Sequence, residues 1–259
     1  MDYNFLNKVV LVTGASAGIG EATALLLAKY GARLALVGRN EKNLKDVAER
    51  CTKVRGVAAL PIVADLGTDE GCEKTAKVTL EQFGKLDVLV NNAALGGRDL
   101  IEKGDLELFD KLFKINVRGV YNLTRLLTPA LIESKGNIVN VSSVAGTKPN
   151  PGSTVYGMTK AAIDHFTRLI ALELAPKGVR VNTVSPGLTI SNFHIRLFGY
   201  DDQQYEKFLN LYKGKIPMGE VCTGEDIAKM IVHIISDNSR LVTGTMVQVD
   251  GGFNLGLLS

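Results

Sequence analysis

Tyr156 and Lys160 stand four residues apart, a spacing that sets two side chains one above the other on a helix. An ammonium beside a phenol favours the phenolate, because an opposite charge stabilises the ionised form. A free phenol loses its proton near pH 10, so acid–base work at neutrality asks for a shift of roughly 3 units, about 4 kcal/mol. One lysine seldom supplies all of that, so a second positive charge or a hydrogen-bond network belongs nearby. The same spacing also occurs on ordinary amphipathic turns. Of the seven tyrosines only Tyr156 has a lysine at this step, and the surrounding elements must decide between the two readings.

Those elements alternate. The run at 8–13 (Lys-Val-Val-Leu-Val-Thr) is apolar enough for a buried parallel strand. It feeds the turn Gly14-Ala15-Ser16-Ala17-Gly18-Ile19-Gly20, and a helical pattern follows at 21–30. Strand, glycine turn and helix together present backbone N–H groups and a positive dipole end to a phosphate. Glycine is needed there because a Cβ would block the pyrophosphate and crowd helix against strand. The spacing differs from G-x-G-x-x-G and lacks the Gly-Lys-Ser/Thr ending of an NTP-hydrolysing loop.

A second strand at 33–38 ends in Gly38-Arg39, where a dinucleotide fold commonly carries an acid for the ribose 2′-hydroxyl. A carboxylate would repel a 2′-phosphate, whereas a guanidinium can pair with one through two hydrogen bonds. Arg39 therefore favours NADP(H) over NAD(H), against the plainer reading of a solvated surface arginine. A helix at 41–53 and a strand at 58–64 lead to Asp65-Leu66. Asp65 either accepts from an adenine amino group or caps a turn. A helix at 69–83 and a strand at 86–90 deliver Asn91-Asn92-Ala93-Ala94 to the strand's C-terminal end, where open α/β sheets bind ligands.

The segment 105–134 reads as one long helix with an apolar stripe at Leu106, Phe109, Phe113, Val117, Val120, Leu123 and Leu127. Asn116 lies close to that stripe, so its amide is met either by local backbone or by a water inside a site. A strand at 137–142 ends in Ser142-Ser143, and a Pro/Gly-rich loop leads to the helix of Tyr156, expected to reach Ala175 with Ala162, Phe166, Leu169, Ile170 and Leu174 buried. A strand at 179–184, a helix at 225–236 and a strand at 246–250 complete a single domain over 1–259: a doubly wound, Rossmann-like parallel sheet of about seven strands.

In this order the motifs resemble the short-chain dehydrogenase/reductase family from Lys8 to Gly252. Thr13-Gly14 with Gly18 and Gly20 is similar to its cofactor turn, Asn91-Asn92-Ala93 to its Asn-Asn-Ala signature, and Val249-Asp250-Gly251-Gly252 to its C-terminal signature. Asn116, Ser143, Tyr156 and Lys160 fall where the family's four catalytic residues fall. The thirteen-residue step from Ser143 to Tyr156 favours Ser143 over Ser142. Asn182-x-x-x-Pro186-Gly187 resembles the segment beneath the nicotinamide, and Thr189 is counted with the cofactor residues. Ala94 replaces a commoner glycine, and Ser191 replaces a threonine that reaches the cofactor.

The resemblance implies interconversion of a ketone and a secondary alcohol by hydride transfer at the nicotinamide. Tyr156 acts as acid or base and Ser143 as second donor to the carbonyl. Lys160 lowers the tyrosine pKa and holds the ribose, and Asn116 holds a water. It also implies a homotetramer assembled through the helices at 105–134 and 154–175. The region 189–218 carries Phe193, Leu197, Tyr200, Tyr205, Phe208, Leu209 and Tyr212 at helical spacing. These form either a lid favouring a bulky hydrophobic carbonyl, steroid- or ecdysteroid-like, or a packing or subunit contact. A non-catalytic NADP(H) sensor and a non-redox epimerase or dehydratase on the same scaffold are the alternatives.

Composition limits the rest. The chain has 259 residues, 46% hydrophobic and 22% charged, with a formal charge of +3, too mild for a nucleic-acid surface. Cys51, Cys72 and Cys222, with His165, His194 and His233, show no metal-ligand spacing, so no metal is expected and a reducing compartment is. The start Met1-Asp2-Tyr3-Asn4 is no signal peptide, no run approaches the ~18 apolar residues of a membrane span, and Gly256-Leu257-Leu258-Ser259 matches no anchor. The expectation is a cytoplasmic protein.

Overall fold

Apolar runs of four to seven residues with little alternation can only be satisfied inside a sheet covered on both faces, and the chain builds that sheet. In the computed structural model, which describes residues 3–256, β1 (Val9–Thr13) is followed by α1 (Gly18–Lys29), β2 (Arg33–Gly38), α2 (Glu41–Arg55), β3 (Leu60–Val63), α3 (Asp69–Phe83) and β4 (Val88–Asn91). Then come α4 (Leu106–Phe113), a wide π turn (Lys114–Gly119), α5 (Val120–Glu133), β5 (Asn137–Val141), α6 (Thr154–Leu174) and β6 (Arg180–Pro186). The chain ends with α7 (Asn192–Phe198), α8 (Asp202–Lys213), α9 (Gly224–Ile235) and β7 (Met246–Val249). The targeting readings at Met1-Asp2 and Leu257-Leu258-Ser259 lie outside the described residues.

The seven strands are parallel in the order β3-β2-β1-β4-β5-β6-β7. The order reverses between β1 and β4, so the crevice beyond their C-terminal ends is the switch point where such sheets bind ligands. Two apolar layers cover the sheet. One holds Val10, Val12, Leu36 and Leu44 against Leu27 and Ile231 of α1 and α9; the other holds Leu11, Leu89 and Ile138 against Leu123, Leu127 and Ala171 of α5 and α6. No helix among the described residues is long and apolar enough to cross a membrane.

Two expectations fail in their detail. The segment 105–134 is not one regular helix, because the π turn inserts extra backbone between α4 and α5 and rotates the buried face. The buried side runs through Leu112, Asn116, Val120, Leu123, Leu127 and Leu131, while Leu106 is 78% exposed. In α6, of the expected inward face Ala162, Phe166, Leu169, Ile170 and Leu174, only Leu174 is buried. The inward face is Val155, Thr159, Lys160, Ile163, Asp164, Thr167, Ala171 and Leu174, leaving Leu169 half exposed. Polar side chains with partners inside the sheet displace the apolar ones. Asn91 donates to Thr124 and Asn140, Asn140 donates to Thr167, and Thr183 donates to Thr167.

Candidate active site

At the C-terminal end of β1 the glycine turn is tied to the end of β4. Thr13 Oγ1 accepts from the backbone N–H groups of Asn92 and Ala93 at 2.8 and 3.0 Å, and Asn92 Nδ2 donates to the Thr13 carbonyl at 2.8 Å. Asn92 therefore braces the turn. Gly14 and Gly18 have φ of +65° and +60°, and a Cβ on Gly20 would stand 2.3 Å from the Gly14 carbonyl. Only glycine fits there. The residue preceding α1, Ala17, offers no side-chain cap, so first-turn N–H groups face the crevice with the positive end of the helix dipole. This cradle suits a dinucleotide's pyrophosphate.

Ser16 packs its Cβ and hydroxyl against Gly38, both 3.2 Å from where a Cβ would sit. That contact brings the turn beside Arg39, which is exposed and forms no ion pair among the described residues. Asp65 is exposed, and one carboxylate oxygen accepts from the Gly67 N–H at 2.9 Å, a turn-capping contact. Leu66 beside it is buried. Ile19 is half-buried at the start of α1.

On the other side of the switch point, Ser143, Tyr156 and Lys160 converge. Ser143 follows β5, accepts from the Ala145 N–H at 3.2 Å, and offers its hydroxyl to the Tyr156 phenol. Ser142 donates to the Lys160 carbonyl at 3.2 Å. Lys160 is buried, donates from Nζ to the Val141 carbonyl at 2.9 Å, and lies 5.7 Å from the centre of the Tyr156 ring. Burial pushes the phenol up to about 12, with the Ser143 hydrogen bond opposing it. Burial also draws the Lys160 ammonium down to about 8, with Asp164 opposing it. The lysine alone does not bring the phenol toward neutrality, which is where the spacing argument stopped.

Asn116 sits in the π turn, 1% exposed. Its Oδ1 accepts from the Leu95 N–H at 2.8 Å, and its Nδ2 donates to the Leu95 carbonyl at 2.9 Å and to Thr159 Oγ1 at 3.2 Å. Thr159 Oγ1 donates to the Tyr156 carbonyl at 2.7 Å. The Asn116 amide's backbone partner is the loop after β4 rather than local backbone. Asn116 thereby links the β4 loop to the helix turn of Tyr156.

Gly187 takes its N–H to the Val249 carbonyl at 2.9 Å, following Pro186, and a Cβ there would meet Asp250 at 2.7 Å. Thr189 is buried and donates to the Gly187 carbonyl at 3.1 Å. Ser191 lies against Gly18, 3.5 Å from where a Cβ would sit. Its hydroxyl caps α7 by accepting from the Phe193 N–H and donates to the Thr189 carbonyl. The 189–218 aromatics pack on one another: Phe208 contacts His194, Phe198, Tyr200, Tyr205 and Tyr212 with centroids 4.7–6.3 Å apart. Phe193 alone of them reaches Tyr156, at 5.9 Å, and its ring fills the space beside Gly96. His194 is a packing residue; burial draws its imidazole down to about 4.

Sequence reasoning missed Asp99, which is buried and accepts the Val155 N–H at 3.1 Å. It takes over the capping that Ser153 does not provide for α6. No local pattern marks a cap supplied from 56 residues away. Thr159 and Leu95 were likewise invisible one at a time.

A family model described as enoyl-(acyl carrier protein) reductase matches residues 14–254. A 3-oxoacyl-(acyl-carrier-protein) reductase FabG of Thermotoga maritima is 34% identical over 246 residues, covering 95% of this chain and 97% of that one. Among solved structures, a short-chain dehydrogenase/reductase of unknown function from Caenorhabditis elegans, with cofactor, superposes with a TM-score of 0.93 at 38% identity, covering 98% and 97%. An L-sorbose reductase from Gluconobacter frateurii, complexed with NADPH and L-sorbose, gives 0.93 at 29% identity, covering 99% and 100%.

Proposed function

Because this chain belongs to the short-chain dehydrogenase/reductase family, we propose that it interconverts a ketone and a secondary alcohol with NADP(H), using Tyr156 as acid and base. The observation that carries the reading is the convergence of the Ser143 hydroxyl, the Tyr156 phenol and the Lys160 ammonium at the end of β5, two strands from the glycine turn that follows β1. A nicotinamide held there supplies or accepts hydride and, when oxidised, adds the second positive charge that the phenol needs.

In reduction, Tyr156 gives its proton to the carbonyl oxygen as negative charge builds on it, and Ser143 donates a second hydrogen bond to the same atom. Because the phenol is held near 12, it stays protonated in the resting protein and is ready as the acid. Lys160, fixed by Val141, stabilises the phenolate that is left. Asn116 and Thr159 hold the Tyr156 turn in place. Gly14, Gly18 and Gly20 receive the pyrophosphate. Arg39 with Ser16 receives a 2′-phosphate, which supports NADP(H) over NAD(H).

Phe193 and the rings behind it support a lid with an apolar underside, and hence a bulky hydrophobic carbonyl. The L-sorbose in one structural relative is small and polar, so the test must grade substrate size. Exposed Tyr121 lies in a groove of about 780 Å³ lined also by Phe113, Val117 and Phe166, and Leu172 of α6 is exposed as well; these features support assembly through α5 and α6 as a tetramer. Unpaired, buried Cys51, Cys72 and Cys222 support a reducing, cytoplasmic setting.

The experiment follows the absorbance of reduced nicotinamide with ketones of graded size, NADPH against NADH. Tyr156→Phe is expected to keep dinucleotide binding and lose about 10³-fold in kcat/KM. Arg39→Glu is expected to reduce the preference for NADPH by about 10- to 100-fold. Near-normal turnover by Tyr156→Phe would remove the assignment.

A further inference from the structure

The face of α6 that carries Lys160 holds a second ionisable group. Asp164 lies four residues further along, 4% exposed, and neither of its carboxylate oxygens has a hydrogen-bond partner within normal geometry. At that spacing the two side chains share one side of the helix. The pocket around the carboxylate is made by what is absent beside it: a Cβ on Gly146 would stand 2.6 Å from Asp164 Oδ2 and 3.1 Å from the Lys160 backbone carbon. Ser142 occupies the gap between the groups, with its hydroxyl on the Lys160 carbonyl and close enough to act on the carboxylate.

An unpartnered buried carboxylate is costly, and a leucine at that position would be the cheaper way to fill the space. The charges that act on Asp164 are Lys160 and Arg168, both on its own helix; the end of β5 and the turn beyond it present Ser142 and Gly146. Among these, Lys160 is the buried one, and it is the group whose protonation the reaction uses.

We propose that Asp164 is a positioning residue for Lys160: its buried carboxylate is the counter-charge that keeps the lysine an ammonium while Tyr156 exchanges its proton with substrate. The proposal rests on the role given to Lys160 above. Desolvation acts on both groups and each opposes its effect on the other: Asp164 holds the lysine up, and Lys160 holds the carboxyl down. Removing the carboxylate leaves desolvation of the lysine unopposed.

The test reads the pH dependence of ketone reduction at saturating reduced cofactor. In the parent, kcat/KM is expected to fall above about pH 8 as Lys160 loses its proton. Asp164→Asn is expected to move that limb down by about one pH unit, and Asp164→Glu to return it toward the parent position. A limb that stays in place in Asp164→Asn overturns the proposal, whatever the variant does to stability. A second measurement needs only the parent protein. With lysine labelled at Cε, the Lys160 resonance, assigned by its loss in Lys160→Met, is expected to show its own inflection near pH 8 and a smaller one at lower pH where Asp164 titrates. A single inflection overturns the proposal. Two inflections in a protein without turnover would leave the pair standing and remove the reading of the site as a reductase, so the two failures are distinguishable.

Discussion

Beneath Tyr156, directed hydrogen bonds join the parts: Asn116 to Leu95 and Thr159, Thr159 to the Tyr156 carbonyl, Lys160 to Val141 and Ser142 to Lys160. Above it, α7 and α8 are held by ring against ring, and the backbone is pinned mainly where Tyr205 grips Ser191 through both its N–H and its carbonyl at 3.0 Å. Hydrogen bonds fix atoms to fractions of an ångström and fail when one partner is lost. Aromatic packing is less directional and can rearrange around a new shape. Under the proposed function, the lower region would set reaction geometry and the upper one would discriminate among substrates.

The sharpest way to break this comparison is Asn116→Ala. It orphans the Leu95 N–H and carbonyl at once, so it should cost about 3 kcal/mol and lower Tm by roughly 10 °C in a thermal melt. A melt that stays in place would show the lower region to be as forgiving as the upper. Acid comes next, because it addresses the upper region alone. His194 has a folded pKa near 4, below its ordinary 6.5. The unfolded chain therefore binds more protons between those values, and stability falls as pH drops from about 6.5 to about 4. Hydrogen exchange should report opening of α7 and α8 over that window, and His194→Phe should abolish it; exchange rising first in α6 would reverse the assignment. The smallest effect belongs to Phe193→Ala. A several-fold rise in KM for large ketones is expected, with Tm and KM for small ones little changed. An equal loss for small and large ketones would put Phe193 with the reacting geometry.

Much of the frame was legible because it is local. Apolar runs bounded by turns located all seven strands to within about two residues, and the glycines at 14, 18 and 20 marked the cradle before any coordinate did. The thirteen-residue step to Tyr156 singled out Ser143, and in the fold Ser142 donates to the Lys160 carbonyl. The helical stripes were less legible. The π turn at Lys114–Gly119 shifts the phase of the buried face, and nothing in a periodic count announces it. In α6 the clue was present: Lys160, Asp164 and Thr167 recur at helical spacing, but a polar stripe reads as solvent-facing unless the opposite wall is known to carry Asn140 and Ser142.

The amino-acid order alone settled that a phenol and an ammonium share one helix face, because four residues of a helix bring them together whatever surrounds it. It also settled that a tight glycine turn precedes α1. Only the folded chain decided how those groups are charged and held. Desolvation, which lifts the Tyr156 phenol and depresses the Lys160 ammonium, is set by every neighbour that excludes water. Those neighbours, Leu95, Asn116, Val141 and Phe193 among them, are far from the pair in the chain and near it only in space.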